Sequence, residues 1–108
     1  MKTMSIATLL LTGAFLALPA SAQDADAVQA MLKKEGCTKC HSVDKSKKGP
    51  AYQKVAAKYK GKADAQQKLE QFLTTSPKVK FDDGSEEEHK ALKDKGATGN
   101  FIKWVLSL

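Results

Sequence analysis

Residues 37–41 read Cys-Thr-Lys-Cys-His, and no other feature of the chain restricts its fold so strongly. Cys37 and Cys40 are the only cysteines, and His41 and His89 the only histidines. A structural zinc site wants about four ligands in regular spacing, and these four residues do not provide it. A thioredoxin-like Cys-x-x-Cys belongs in a βαβ setting with a helix starting at the first cysteine, and no strand pattern surrounds this one. A disulfide closed over so short a loop is geometrically awkward. Two thiols three positions apart, followed at once by an imidazole, instead match the attachment site of a covalently bound haem c. Cys37 and Cys40 would add to the two porphyrin vinyl groups as thioethers, and His41 would supply the proximal nitrogen to the iron. One covalent haem c is the expected cofactor.

The N-terminus agrees with this reading. Met1-Lys2 is a short positive region, Ile6 to Leu18 is almost wholly apolar, and Pro19-Ala20-Ser21-Ala22 ends in an Ala-x-Ala site. The pattern is that of an exported protein's signal peptide, 1–22, cleaved after Ala22. The apolar run falls short of the roughly 20 residues of a membrane span, and residues 23–108 offer no other, so no stable membrane insertion is expected. The expected location is the periplasm, and haem attachment after export fits it.

Residues 23–108 make 86 of the 108 positions, enough for one small domain. A core of that size is marginal alone and gains from a large apolar cofactor. Without Lys2 the domain holds 17 lysines and no arginine against 12 acids, a formal charge of +5. Lysine without arginine, and few aromatics, argue against nucleic acid and for electrostatic docking to an acidic protein partner.

The pattern along the chain is helical throughout. Asp24 or Asp26 caps a first helix running through Glu35, with Val28, Met31 and Leu32 as its apolar face, and Gly36 stops it. Residues 42–50 form a lysine-rich loop. A second helix spans Pro50 to Tyr59, with Pro50 in its first turn. A third, 64–74, starts at Asp64 and ends before Pro77. After a loop over 76–84 closing in Asp83-Gly84, Ser85-Glu86-Glu87-Glu88 reads as a capping box for a short helix to Lys95, terminated by Gly96. The last helix covers 98–107 and carries Phe101, Trp104, Val105 and Leu108. The expected fold class is all-α, with no strands.

Taken together, the chain resembles the short bacterial class I cytochromes c over essentially the whole of residues 23–108. The matching pieces are the first helix leading into Cys37-Thr38-Lys39-Cys40-His41, then Gly49-Pro50-Ala51-Tyr52, Val55-Ala56-Ala57-Lys58-Tyr59, and the closing Phe101-Ile102-Lys103-Trp104-Val105-Leu106. The resemblance implies four to five short helices wrapped around one haem, with the first and last crossing beside it. It implies that Pro50 offers its carbonyl to His41, and that Met31 or Leu32 packs against Phe101 and Trp104. The implied activity is electron transfer with a redox partner protein and no catalysis.

One element of the family pattern is absent. The usual distal ligand is a methionine in the loop ahead of the last helix, and residues 76–90 contain none. Met31, six residues before Cys37, reads as core packing. His89 lies in the right region, fifteen residues before Trp104, and on the expected helix would share a face with Leu92. His89 is therefore the expected distal ligand opposite His41, because imidazole is a strong iron ligand. A deprotonated Lys78 or Lys80, or a vacant or water-bound sixth position, are the alternatives. Two histidine ligands would close both faces of the haem and lower its potential relative to His/Met relatives. The five acids of 82–88 would push the same way, and the seven lysines of 45–62 would form the docking surface. The rival functions are a gas- or small-molecule-binding haem protein with an open sixth site, and a dimer or subunit of a larger redox complex.

Overall fold

The computed structural model describes residues 13–14 and 20–108, with side chains from Ala25 onward in the second stretch. Most of the expected signal peptide lies outside these residues; Ala20, Ser21 and Ala22, at its end, form the start of the first helix. Four helices follow in order: α1 Ala20–Lys34, α2 Tyr52–Tyr59, α3 Ala65–Thr74 and α4 Lys95–Leu106. A 3₁₀ turn, Cys37–Lys39, comes after α1, and two short strands, β1 Lys78–Lys80 and β2 Glu86–Glu88, lie between α3 and α4.

α4 organises the core, since it packs on α1, α2 and α3 alike. Val28 and Leu32 of α1 and Ile102 and Val105 of α4 are 1–2 % exposed. Phe101, Tyr52, Leu69, Leu73 and Leu92 complete the buried cluster, with Met31 and Trp104 packed on it part-exposed. The helix faces read from periodicity are largely the buried ones, except that Leu108 lies beyond α4 and is exposed while Ile102 is buried in its place, and α1 and α4 meet as the family resemblance implied.

Helix ends follow local chemistry. Gly36 takes φ +76°, a left-handed conformation that costs a residue with Cβ roughly 1–2 kcal/mol, and α1 stops there as expected. Asp24 and Asp26 do not cap α1, which runs through both. Pro50 sits before the N-cap residue Ala51 and outside the first turn of α2. The free N–H groups at that helix start are satisfied by the preceding loop: Tyr52 N donates to Ser42 O at 2.9 Å and Gln53 N to Val43 O at 3.0 Å. The loop after the cysteine motif therefore caps α2 in place of a side chain.

The segment 85–95 departs from expectation. Glu86–Glu88 is a strand, paired antiparallel with Lys78–Lys80 in the register Lys78 to Glu88, Val79 to Glu87 and Lys80 to Glu86. The turn is built by Gly84 at φ +85°, by Gly84 N donating to Phe81 O, and by Phe81 N donating to Ser85 O, a hairpin loop with a left-handed glycine. Ser85 spends both its N–H and its hydroxyl on the Asp83 carboxylate, at 2.8 and 2.5 Å, so nothing remains to cap a helix. Opposite charges facing across the strands add cross-strand attraction. Gly96, read as a terminator, lies in the first turn of α4, whose cap is Asp94: its carboxylate accepts from Ala97 N at 2.9 Å. The class remains all-α with this one small hairpin.

Candidate haem site

Cys37 and Cys40 come to one side of the chain because the 3₁₀ turn between them has three residues per turn, so positions i and i+3 eclipse. Cys40 N and His41 N both donate to Cys37 O, at 3.2 and 3.0 Å, and tighten that turn. Both thiols are free and partly exposed. Burial and then the nearby Glu35 carboxylate push the Cys37 thiol above its usual range. A redox Cys-x-x-Cys instead needs its first thiol lowered, so the environment speaks against that chemistry.

His41 is held on three sides. Its Nδ1 donates to Pro50 O at 2.7 Å, which fixes the tautomer and leaves Nε2 with a free lone pair. Tyr52 stacks on the ring at 5.0 Å between centroids and 21° between planes. Gly49 lies against it so closely that an added Cβ would come within 2.8 Å of Nδ1 and 2.9 Å of Nε2. Tyr52 in turn presents its ring to the edges or faces of Phe101 and Trp104, 5.4 and 5.6 Å away, and burial raises its phenol well above the usual value. The result is an aromatic wall beside the cysteine motif, formed by α2 and α4.

His89 follows β2 rather than riding on a helix, so the shared face with Leu92 does not exist. Its N–H donates to Pro77 O at 2.8 Å and Phe72 packs against its ring at 5.0 Å. Its Nδ1 lies 3.0 Å from Lys90 O, so this imidazole also keeps Nε2 free. Burial, opposed by the Lys90 carbonyl and assisted by His41, moves its pKa below the ordinary value, which favours the neutral form that binds metal. The two histidine rings lie 6.2 Å apart between centroids and are tilted by 54° to each other. The other ligand candidates are placed differently: Lys78 and Lys80 are exposed opposite Glu88 and Glu86, and Met31 lines a small cavity with Leu92, Ala97 and Thr98.

These residues fit a haem c. An imidazole nitrogen binds a transition metal at about 2.0–2.1 Å; adding the ring radius on both sides, two imidazoles sharing one ion stand about 6.3 Å apart. The observed separation matches, the free nitrogens are of the same kind on both rings, and Cys40 directly precedes His41 in the chain. Four contributors escaped sequence reasoning: Gly49 behind His41, Phe72 behind His89, and the ion pairs Lys48–Glu87 at 2.5 Å and Lys90–Glu35 at 3.0 Å. Glu87 also raises the Lys48 pKa. Gly49 left a signal as the residue before Pro50 in the family's pattern, and Phe72 as an aromatic at helical spacing from Leu69 on the third helix.

Comparison with known proteins gives the same answer. The family model described as Cytochrome c matches residues 25–96. Cytochrome c-551 of Pseudomonas aeruginosa is 35 % identical over 107 residues, covering 99 % of this chain and 98 % of that protein. Among solved structures, the class 1 cytochrome MtoD of Sideroxydans lithotrophicus ES-1 is 48 % identical with a TM-score of 0.75, over 78 % of this chain and 95 % of that one. Cytochrome c552 of Nitrosomonas europaea is 25 % identical with a TM-score of 0.62, over 74 % of this chain and 98 % of that one. The chain belongs to the cytochrome c family, as a short class I electron-transfer cytochrome carrying one covalently attached haem c.

Proposed function

We propose that the protein is a periplasmic one-electron carrier in which His41 and His89 ligate the iron from opposite sides, giving a potential below that of His/Met relatives. The observation that carries this reading is the 6.2 Å spacing of the two rings, each with Nδ1 at a backbone carbonyl. The haem, when bound, supplies reversible Fe(III)/Fe(II) chemistry. The chain's residues do the rest: Cys37 and Cys40 anchor, Pro50 and Lys90 orient the two imidazoles through their carbonyls, and Tyr52, Phe101 and Trp104 exclude water from one side. With His41 and His89 both holding the iron, the site would carry an electron without any side chain acting on a substrate.

Location rests on the leader pattern of residues 1–22, which also sets the domain at 23–108. No helix among the described residues is long and apolar enough to cross a membrane. The proposed docking partner is an acidic redox protein. Lys45, Lys54, Lys58, Lys60 and Lys62 are exposed around the loop after the motif and on and just beyond α2, whereas Lys48 and Lys47, though also exposed, are engaged by Glu87 and by Thr38 O. Such docking is salt-sensitive. The decisive test compares the ferric electron paramagnetic resonance spectrum with that of His89→Ala: the low-spin signal is expected to be lost or replaced. A signal unchanged by the substitution refutes His89 as ligand, and a potential as high as in His/Met relatives refutes the low-potential reading.

A further inference from the structure

The segment that carries His89 has little regular structure of its own. After β2, residues 89–94 form neither helix nor strand, and their backbone is tied to the α3 side by His89 N to Pro77 O and Leu92 N to Leu73 O, both 2.8 Å. None of these bonds reaches the half of the molecule that holds the cysteines and His41. Among the described residues, the hydrogen bonds and ion pairs joining 76–94 to 35–60 come from two lysines. Lys48, next to Gly49, reaches Glu87 at 2.5 Å and lies over the Phe81 ring at 4.6 Å. Lys90, next to His89, donates to the Glu35 carboxylate at 3.0 Å and to the Glu35 carbonyl at 2.9 Å.

The placement is symmetric about the site. One pair lies two residues before His89 and the other one residue after it. Their distant partners are Lys48, one residue before the glycine that backs His41, and Glu35, two residues before Cys37. We infer that the pairs Lys48–Glu87 and Lys90–Glu35 form a two-point ionic clamp that holds His89 opposite His41. Lys48, Glu87, Lys90 and Glu35 are thus positioning residues for the distal ligand. This rests on His89 being that ligand. Both pairs are solvent-facing, with side chains 28–57 % exposed, so each contributes modestly and is screened by salt. The consequence is a distal ligand whose detachment is ionic-strength dependent.

The test is the rate at which cyanide binds the ferric holoprotein near neutral pH, where the reagent is mainly the uncharged acid and salt acts on the protein rather than on the ligand. Binding requires His89 to leave, so the rate reports its detached fraction. Glu87→Gln and Lys90→Gln should each speed binding about two- to fivefold, and the double variant about tenfold if the pairs act independently. In about 1 M salt, where the screening length is about 3 Å, the unaltered protein should approach the double variant and the variants should respond little. Exchanging the charges, Lys48→Glu with Glu87→Lys, should restore slow binding, and Lys103→Gln on the outer side of α4 should change nothing. Rates in both single variants equal to the unaltered protein's, or salt dependence that persists in the double variant, overturn the clamp. His89→Ala separates the two ideas: if it leaves the ferric spectrum and cyanide rate unchanged, the ligand assignment falls and the clamp with it. If it alters both while the clamp variants do not, only the clamp falls.

Discussion

Gly49→Ala is the smallest change that tests the proximal side of the site. The added methyl would overlap the His41 ring, lying within 2.9 Å of both ring nitrogens. The ring yields only at a cost, because Tyr52 stacks on it at 5.0 Å and Pro50 O holds Nδ1 at 2.7 Å. Gly49 does not have a positive φ, so alanine carries no backbone penalty there and the effect is steric alone. Overpacking of this kind costs about 1–3 kcal/mol. Rotation of His41 away from Pro50 forfeits a further 0.5–1.5 kcal/mol or so for the hydrogen bond. The expected loss is about 2–4 kcal/mol, a large fraction of the roughly 5–15 kcal/mol available to a small domain. Urea unfolding of the holoprotein measures it through the midpoint at constant slope. The ferric spectrum should change as well, because the proximal imidazole has turned. Gly96→Ala is the control: its Cβ meets only Asp94 Oδ1 at 3.4 Å, and in the first turn of α4 alanine should stabilise by up to about 1 kcal/mol. Gly49→Ala with unaltered stability and spectrum would refute the packing of the proximal side described above.

Three further substitutions probe other links. Asp94→Ala removes the carboxylate that accepts from Ala97 N and should cost about 1 kcal/mol in urea unfolding, with no change in the haem spectrum. Ile102→Ala, at a residue 1 % exposed in the centre of the core, should cost about 2–5 kcal/mol, and a loss under 1 kcal/mol would contradict that placement. Pro50→Ala keeps the carbonyl that receives His41 Nδ1, so the ferric spectrum should persist. Its cost should be about 0.4–1 kcal/mol, acting through the unfolded chain, and a lost low-spin signal would show that the ring, rather than the carbonyl, is what matters.

How much of this was legible depends on the range of the signal. The α1 face of Val28, Met31 and Leu32 and the α4 face of Phe101, Trp104 and Val105 were readable because helix burial repeats every three to four residues. Gly36 was readable because its left-handed turn follows directly on the helix it ends. The start of α4 was hidden by Gly96 and Gly99, which weaken a helix on propensity, although Asp94 is a proper cap. The hairpin was hidden for another reason. Three glutamates after a serine satisfy a capping rule that is local, whereas the facing lysines lie six to ten positions away and become visible only when Asp83-Gly84 is taken as a turn between two strands. The ion pairs Lys48–Glu87 and Lys90–Glu35 span 39 and 55 residues, and nothing in a local pattern announces them.

The misread hairpin bears on the chemistry of His89. On a helix the residue would have stood among five uncompensated acids, and part of its low expected potential would have come from their field. In the hairpin the three glutamates face cations: Glu88 and Glu86 stand opposite Lys78 and Lys80 across the strands, and Glu87 is paired with Lys48. The glutamate charge is thereby reduced, and what remains, with that of Asp82 and Asp83, is screened within about 10 Å at ordinary ionic strength. The potential of the proposed bis-histidine site is then set mainly by the ligand itself, one of the larger levers within the roughly 0.8 V that axial ligands span, and by burial. His89 thus stays the candidate that the sequence singled out, but its position comes from Pro77 O, Phe72 and two long-range lysines rather than from a helix face shared with Leu92.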